Sequence, residues 1–170
     1  MNTGQMALTV AAFMLLGFIS LNFRSASFQN EEVLDTNEYT QKAVAIGRSL
    51  FEEIEQKVYD QKLAGGAKIV RLTDLSTCGP AWNEVYPNFP DVDDYHGSVF
   101  TSPADGTTPT TTPKCLWGTW GYRVEVRVQF VWPNTPEVET TTRTFTKRVR
   151  LRISNTFSKD TVTMSYIAAF

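Results

Sequence analysis

The chain has 170 residues, which suits one domain together with one accessory segment. Its net charge is −2 and 42% of its residues are hydrophobic, so the composition excludes a disordered chain and argues against a nucleic-acid-binding protein with a global basic field. The charge is nevertheless unevenly distributed along the chain. Acidic residues outnumber basic ones in residues 25–100, and basic residues outnumber acidic ones in residues 120–170.

The N-terminal stretch 6–23 has no charged residue and only three polar ones. Its 18 residues would span about 27 Å as a helix, close to the hydrocarbon thickness of a bilayer. A helix that is apolar on every side has to lie in lipid or in protein. Three interpretations remain open: a cleaved secretory signal, although residues 1–5 lack the usual positive charge; a permanent membrane anchor; and a helix that leaves the membrane to pack with copies of itself in a filament core.

Residues 30–63 are predicted to form one amphipathic helix of about 50 Å. The pair Gly65 and Gly66 is expected to end it, because glycine readily adopts the left-handed conformation of a helix C-terminus. Apolar residues recur at intervals of three and four, which predicts one buried face. These residues are Tyr39, Ala43, Ile46, Leu50, Ile54 and Val58.

The C-terminal third, residues 120–170, is predicted to form an antiparallel sheet. Apolar and polar residues alternate strictly in three segments, and the connections at 133–138 and 154–160 are short enough for a meander. The apolar sets are Trp120, Tyr122, Val124, Val126, Val128, Phe130 and Trp132; then Phe145, Val149, Leu151 and Ile153; then Val162, Met164, Tyr166, Ala168 and Phe170. The region 67–119 is predicted to be irregular, with a short strand at 68–72 and an exposed loop at 101–114. We therefore predict an α+β fold in which a long N-terminal helix packs on the sheet.

This order of segments resembles the type IV pilins and pseudopilins. The stretch 91–97, DVDDYHG, is also similar to a segment that MSHA-type minor pilins carry between helix and sheet. The resemblance implies a pilin-like fold, with residues 1–24 as membrane or filament-core helix and residues 25–170 as the globular head. It implies a non-enzymatic structural subunit of an extracellular type IV pilus-like filament, which the pilus assembly machinery takes from the inner membrane. The alternatives are a minor pilin or pseudopilin of a secretion or adhesion machine, and a membrane-anchored periplasmic binding module with its ligand near 91–97.

The resemblance also implies a leader removed after a glycine, methylation, and a glutamate at the fifth mature position. We expect Met1 to be the mature N-terminus, which makes Gln5 the fifth residue; cleavage after Gly4 would instead give Thr9 that position. Neither side chain is charged, so we expect apolar packing between copies to carry assembly. The residues predicted to do so are Met1, Gln5, Met6, Leu8, Val10, Phe13, Leu16 and Phe18.

Cys78 and Cys115 are the two cysteines of the chain, with 36 residues between them. An even number of cysteines in an exported protein predicts a disulfide, which would contribute about 3–4 kcal/mol by restricting the unfolded chain. Two reduced thiols are the alternative.

Asp91, Asp93 and Asp94 are spaced so that their carboxylates could hold Ca²⁺, although the pattern of an EF-hand loop is not met. The alternative is an Asp-rich turn before a strand. With His96 as the single histidine and no nucleophile, zinc or phosphate motif in the sequence, we expect neither catalysis nor a cofactor.

Five arginines are predicted to lie on the solvent face of the sheet, namely Arg123, Arg127, Arg148, Arg150 and Arg152. They could bind nucleic acid, or complement the acidic helix face of a neighbouring subunit, or form a solvated edge that prevents aggregation. Nucleic acid is disfavoured, because no base-stacking aromatic residues are interleaved on that face. The acidic helix face consists of Glu31, Glu32, Asp35, Glu52, Glu53 and Glu55.

Overall fold

The structure is a computed structural model that describes residues 3–103, 112–116 and 118–170, with the side chains of all of these except 25–32 and Ala64. The chain forms two units, Met1–Glu38 and Tyr39–Phe170. Helix α1, Thr3–Glu55, contributes residues to both units. An apolar N-terminal helix and a C-terminal antiparallel sheet are present, which confirms the α+β class.

The predicted buried face of the helix is confirmed in the second unit. Ala43, Ile46, Leu50 and Ile54 are buried in one core with the apolar face of the sheet. Their spacing places them on one side of a helix with 3.6 residues per turn.

The predicted C-terminal boundary of the long helix at residue 63 is wrong, because α1 ends at Glu55. Val58 is exposed instead of continuing the apolar stripe, and it pairs with Asp91 in an isolated parallel bridge. Asp60 then caps the N-terminus of a four-residue helix, α2 (Gln61–Ala64), by accepting from the backbone N–H of Lys62. The competing backbone and capping contacts therefore end the long helix two turns early.

The sheet has five strands: β1 (Val99–Thr101), β2 (Tyr122–Trp132), β3 (Thr135–Glu139), β4 (Thr146–Asn155) and β5 (Thr161–Ala169). The order is β1-β2-β4-β5, all pairs are antiparallel, and β3 pairs with the end of β2. The three strands with strong alternation, β2, β4 and β5, match the prediction. Sequence analysis missed the short strand β1 and treated most of β3 as a connection.

Most residues predicted to face the core do so, with exceptions at the strand ends. Trp120 precedes β2 and is exposed, and Phe170 follows β5 and is exposed. Phe130 and Val131 are both buried, which reverses the alternation and leaves Trp132 exposed. The pairing of β2 with β3 shifts register next to this point, because Val131 pairs with Glu139 and Trp132 with Thr135.

The region 67–119 is largely irregular, as predicted, but the expected strand at 68–72 does not form. Leu72–Asp74 is instead a 3₁₀ helix, and a second one covers Asp93–Tyr95. Ile69 is buried in a small second core with Leu75 and Phe130. The central part of the predicted loop, 104–111, lies outside the described residues.

Gly47 lies on the part of α1 that faces Met164 and Ile153 of the sheet. A Cβ at this position would lie 2.5 Å from Met164 Sδ and 2.9 Å from Ile153 Cδ1, so these side chains would have to move to accept it. Packing therefore favours a glycine that is unfavourable for helix propensity.

We predict that Gly47→Ala destabilises the protein even though alanine favours the helix by about 1 kcal/mol. Overpacking against Met164 and Ile153 should cost about 1–3 kcal/mol and exceed that gain. In a Met164→Ala background the same substitution should be less destabilising, because, of these two contacts, only the one with Ile153 remains. Thermal unfolding of the full chain in detergent, followed by circular dichroism, measures this double-mutant cycle. Stabilisation by Gly47→Ala with Met164 intact would contradict the packing argument.

Candidate functional site: an apolar helix and a buried lysine–aspartate cluster

The first feature is the apolar segment of α1, Thr3–Arg24, which is long and apolar enough to span a membrane or to act as a signal sequence. Of the residues predicted to drive assembly, Gln5 is exposed and Met6, Leu8, Val10, Phe13, Leu16 and Phe18 are between 52% and 76% exposed. Met1 lies outside the described residues. Five further large apolar side chains are also mainly exposed: Met14, Leu15, Ile19, Leu21 and Phe23.

Two polar side chains of this segment, Thr9 and Asn22, turn back onto the helix. The Thr9 hydroxyl donates to the backbone oxygens of Met6 at 2.9 Å and Gln5 at 3.1 Å. The Asn22 amide donates to the backbone oxygen of Phe18 at 2.9 Å. In an apolar medium a polar group must find its partner within the protein, and these side chains meet that requirement locally. The helix surface is therefore suited to burial in lipid or against other apolar helices.

The second feature is a turn at residues 91–97, the aspartate turn, whose three carboxyl groups are buried. Asp91 Oδ1 accepts from the backbone N–H groups of Asp93 at 2.8 Å and Asp94 at 3.2 Å. Asp94 Oδ2 accepts in return from the backbone N–H of Asp91 at 3.2 Å. These hydrogen bonds form an Asp-rich turn, which is the alternative that the sequence offered to a metal site.

Lys147 on β4 is fully buried and points its ammonium group at this turn. Its Nζ donates to Asp93 Oδ2 at 2.7 Å and to the backbone oxygen of Tyr59 at 2.9 Å. It lies 3.6 Å from Asp60 Oδ2 and 4.0 Å from the centroid of the Tyr59 ring, with the Phe130 ring at 5.4 Å. A buried ammonium is stable only with such compensation.

Ser76 joins the two acidic partners of the lysine. Its hydroxyl lies 2.9 Å from Asp60 Oδ2 and 3.0 Å from Asp93 Oδ2, so it bridges the two carboxyls, and its backbone N–H donates to Asp60 Oδ2 at 2.8 Å. We call Lys147, Asp60, Asp93 and Ser76 the lysine–aspartate cluster.

The two aspartates of the cluster have opposite protonation preferences. Burial raises the pKa of Asp93, and the nearby Lys147 opposes this only in part. Burial also acts against ionisation of Asp60, but hydrogen bonds from Ser76 and the Lys62 backbone outweigh it and lower the pKa of that carboxyl. Asp60 therefore favours its ionised form and is available as a carboxylate, whereas Asp93 is the more easily protonated of the two.

The other carboxyls of the aspartate turn are also hard to ionise. Burial, followed by the charge of Asp93, raises the pKa of Asp91 to about 6. Burial raises the pKa of Asp94 to about 7, with further contributions from the charges of Asp91 and Glu84. This turn therefore holds protons near neutral pH that ordinary aspartates release.

The calcium interpretation of Asp91, Asp93 and Asp94 finds no support. Within the described parts of the chain, no three His, Cys, Asp or Glu side chains are arranged to hold a metal ion. The carboxylates are occupied instead, since Asp91 binds backbone N–H groups and Asp93 binds Lys147.

The predicted disulfide is absent, because Cys78 and Cys115 are free thiols in the structure. Each thiol lies near a different acidic residue. Burial and the charge of Asp93 raise the pKa of Cys78 to about 12, and burial and the charge of Glu53 raise that of Cys115 to about 12. Both thiols are therefore protonated and unreactive in the folded protein.

The basic face of the sheet differs from its prediction, because β3 supplies acidic partners. Arg148 is buried rather than solvent-facing and pairs with Glu139. Arg127 and Arg150 reach the same carboxylate at 3.2 Å and 2.9 Å. Arg123 pairs with Glu125 on its own strand at 2.9 Å, and Arg152 is exposed as expected. Intramolecular pairing thus neutralises much of the positive charge that could have attracted nucleic acid.

Lys147 is the functional residue that sequence analysis missed. It occupies an inward position of β4, in phase with Phe145, Val149, Leu151 and Ile153. A lysine in an otherwise apolar inward series, together with an Asp-rich turn elsewhere, was the available signal.

Comparison with known proteins does not assign a family. No family model matches the chain, and no curated protein and no solved structure matches it significantly. The function is therefore argued from the geometry alone.

We predict that the free energy of unfolding falls as the pH rises from about 5 to 7.5. The pKa of Asp94 is about 7 in the folded protein and near 4 in an unfolded chain, so the folded state binds the extra proton. Its contribution is complete at low pH and is lost as the pH passes the folded-state pKa. Urea unfolding of the full chain in detergent measures the slope. Asp94→Asn should reduce it, whereas Asp160→Asn on the surface should not; stability that rises over this interval would contradict the assignment.

The state of the cysteines is a separate prediction. When the protein is unfolded in urea without a reductant, a maleimide should label both Cys78 and Cys115, and it should label neither at neutral pH before unfolding. Peptide mass spectrometry counts the labels. If part of the protein accepted the maleimide only after reduction, that result would show that Cys78 and Cys115 form the disulfide after all.

Proposed function

We propose that the protein is a structural subunit of an extracellular type IV pilus-like filament that assembles through its hydrophobic N-terminal helix. The observation that carries this proposal is the segment Thr3–Arg24, which is apolar around its whole circumference and has no buried side chain. Its function is assembly, without a chemical reaction.

Burial of the segment supports this proposal energetically. Eleven large apolar side chains between Met6 and Phe23 are more than half exposed. Each contributes roughly 1.5–3 kcal/mol when it is transferred from water to an apolar environment. An exposed surface of this size marks an interaction site rather than ordinary protein surface. Lipid provides that environment before assembly, and identical helices of neighbouring copies provide it afterwards.

The composition of the helix favours copies of the same chain as the partners. A surface that is apolar on all sides fits an environment that is apolar on all sides, as in the centre of a helical bundle. The head, Tyr39–Phe170, has its own core and sheet. A compact head with an exposed apolar helix agrees with the pilin-like order of segments in the sequence. We propose the inner membrane as the location of the precursor and the cell surface as that of the filament.

Assembly is tested by shortening two side chains while the helix remains apolar. Phe13→Ala with Leu16→Ala should still insert into the membrane but should release less protein into the filament fraction that is sheared from cells. Large-to-small substitutions of buried residues cost about 2–5 kcal/mol each, and a filament repeats that loss in every subunit. Quantitative immunoblots of sheared and membrane fractions provide the measurement.

Val70→Ala is the matched control, because Val70 is an exposed apolar residue of the head and its loss should not change the sheared fraction. Wild-type protein that stays in the membrane fraction as a monomer would contradict the proposal and favour an anchored periplasmic module. If only trace amounts of this protein were found in filaments that consist mainly of another subunit, it would not be the main structural subunit, and the result would favour a minor pilin.

A further inference from the structure

We propose that Lys147 and Asp93 form an intramolecular isopeptide bond between Nζ and Cγ, with Asp60 as the base that moves the proton. This modification goes beyond the proposed function and does not depend on it, since it concerns the interior of the head.

The two reacting groups are already in contact. Lys147 Nζ lies 2.7 Å from Asp93 Oδ2, and the carboxyl carbon is one bond beyond that oxygen, which places the nitrogen roughly 3–4 Å from Cγ. Productive approaches between reacting atoms begin at about 3–3.5 Å. The amine therefore needs only a small movement to reach the carbon that it would attack.

The reaction requires a neutral amine and a carboxylic acid, and burial excludes the water that would stabilise their charged forms. The side chains of Lys147 and Asp93 are 0% and 2% exposed, and the rings of Tyr59 and Phe130 cover the amine. An ion pair loses its hydration in such a site, whereas an amine and a carboxylic acid do not carry that cost. Transfer of one proton along the 2.7 Å hydrogen bond converts the ion pair into this neutral pair. Among the described residues no N–H or O–H group donates to the buried Asp93 Oδ1, and only the weakly donating Cys78 thiol lies beside this carboxyl, so the carboxylate form is incompletely stabilised.

Asp60 and Ser76 supply the proton path. Asp60 Oδ2 is 3.6 Å from the attacking nitrogen, and Ser76 Oγ lies within hydrogen-bond distance of both Asp60 Oδ2 and Asp93 Oδ2. The Nζ lone pair forms a C–N bond with Cγ, and Asp60 accepts one of the amine protons. That proton returns through Ser76 to Asp93 Oδ2, the C–Oδ2 bond breaks, and one water leaves. The amine and the acid thus become an amide and water, with no oxidant, reductant or cofactor.

The bond would connect two distant parts of the chain. Lys147 and Asp93 are 54 residues apart in sequence, so an amide between them would close a large loop and join the aspartate turn covalently to β4. Closing such a loop restricts the unfolded chain in the manner of a disulfide. Unlike a disulfide, the amide would resist reducing agents.

Peptide mapping of the full-length protein tests the bond directly. Modified Lys147 is not cleaved by trypsin, so the digest should contain residues 72–114 joined to residues 144–148, lighter than the two peptides together by the mass of one water. Fragmentation should place the link at Asp93 and Lys147. A map that contains separate peptides, with normal cleavage after Lys147, would overturn the proposal whether or not the protein forms filaments.

Variants separate the reacting residues from the base. Lys147→Arg keeps the positive charge but should lose the linked peptide completely. Asp60→Asn keeps both reacting groups and should reduce the linked fraction at least tenfold at equal times after synthesis, whereas the surface control Asp160→Asn should leave it unchanged. Near-ultraviolet circular dichroism verifies that each variant is folded. If folded Asp60→Asn protein links as fully as the wild type, the role of Asp60 is wrong; if Asp60→Asn does not fold, the wild-type map still decides whether the bond exists.

Discussion

Lys147 is a charged residue on the apolar face of a sheet. The surrounding segments place oxygen atoms around its ammonium group and thereby compensate the loss of its hydration. Asp93 comes from the aspartate turn, Asp60 from the start of α2, and the Tyr59 carbonyl from the connection between the helices. The contacts draw two parts of the chain, the segment with Tyr59 and Asp60 and the aspartate turn, onto one end of β4. A region with little regular secondary structure thus obtains a defined position through polar contacts, in addition to its apolar packing.

This arrangement also gives the carboxyl groups of the aspartate turn internal partners. Its carboxyl groups are directed inwards, where one binds an ammonium and another binds backbone N–H groups. A cation site needs several oxygens that converge on an open position. The same acidic residues that suggest calcium in the sequence therefore act as internal partners of the fold, and one of them, Asp93, contacts the lysine with which we propose an amide bond.

The sequence predicted the features that follow from periodicity, but not those that depend on contacts between distant residues. The stripe Ala43, Ile46, Leu50 and Ile54 and the alternation of β2, β4 and β5 were correct, because helix and strand geometry alone determines which side chains share a face. The early end of α1, the irregular end of β2 at Val131 and the pairing of Arg148 with Glu139 were not predicted. Each arises where a tertiary contact competes with local propensity. Lys147 was missed for the same reason, since its partners come from elsewhere in the chain.

The apolar segment Thr3–Arg24 gives the protein a surface that its own described residues do not cover, and the central claim is that copies of this chain cover it. A photoreactive amino acid at position 16, activated in intact cells, tests this most directly. The account predicts a ladder of covalent multimers of this chain in the cell-surface fraction. Cross-links to lipid alone, with the protein still monomeric in the membrane, would contradict it.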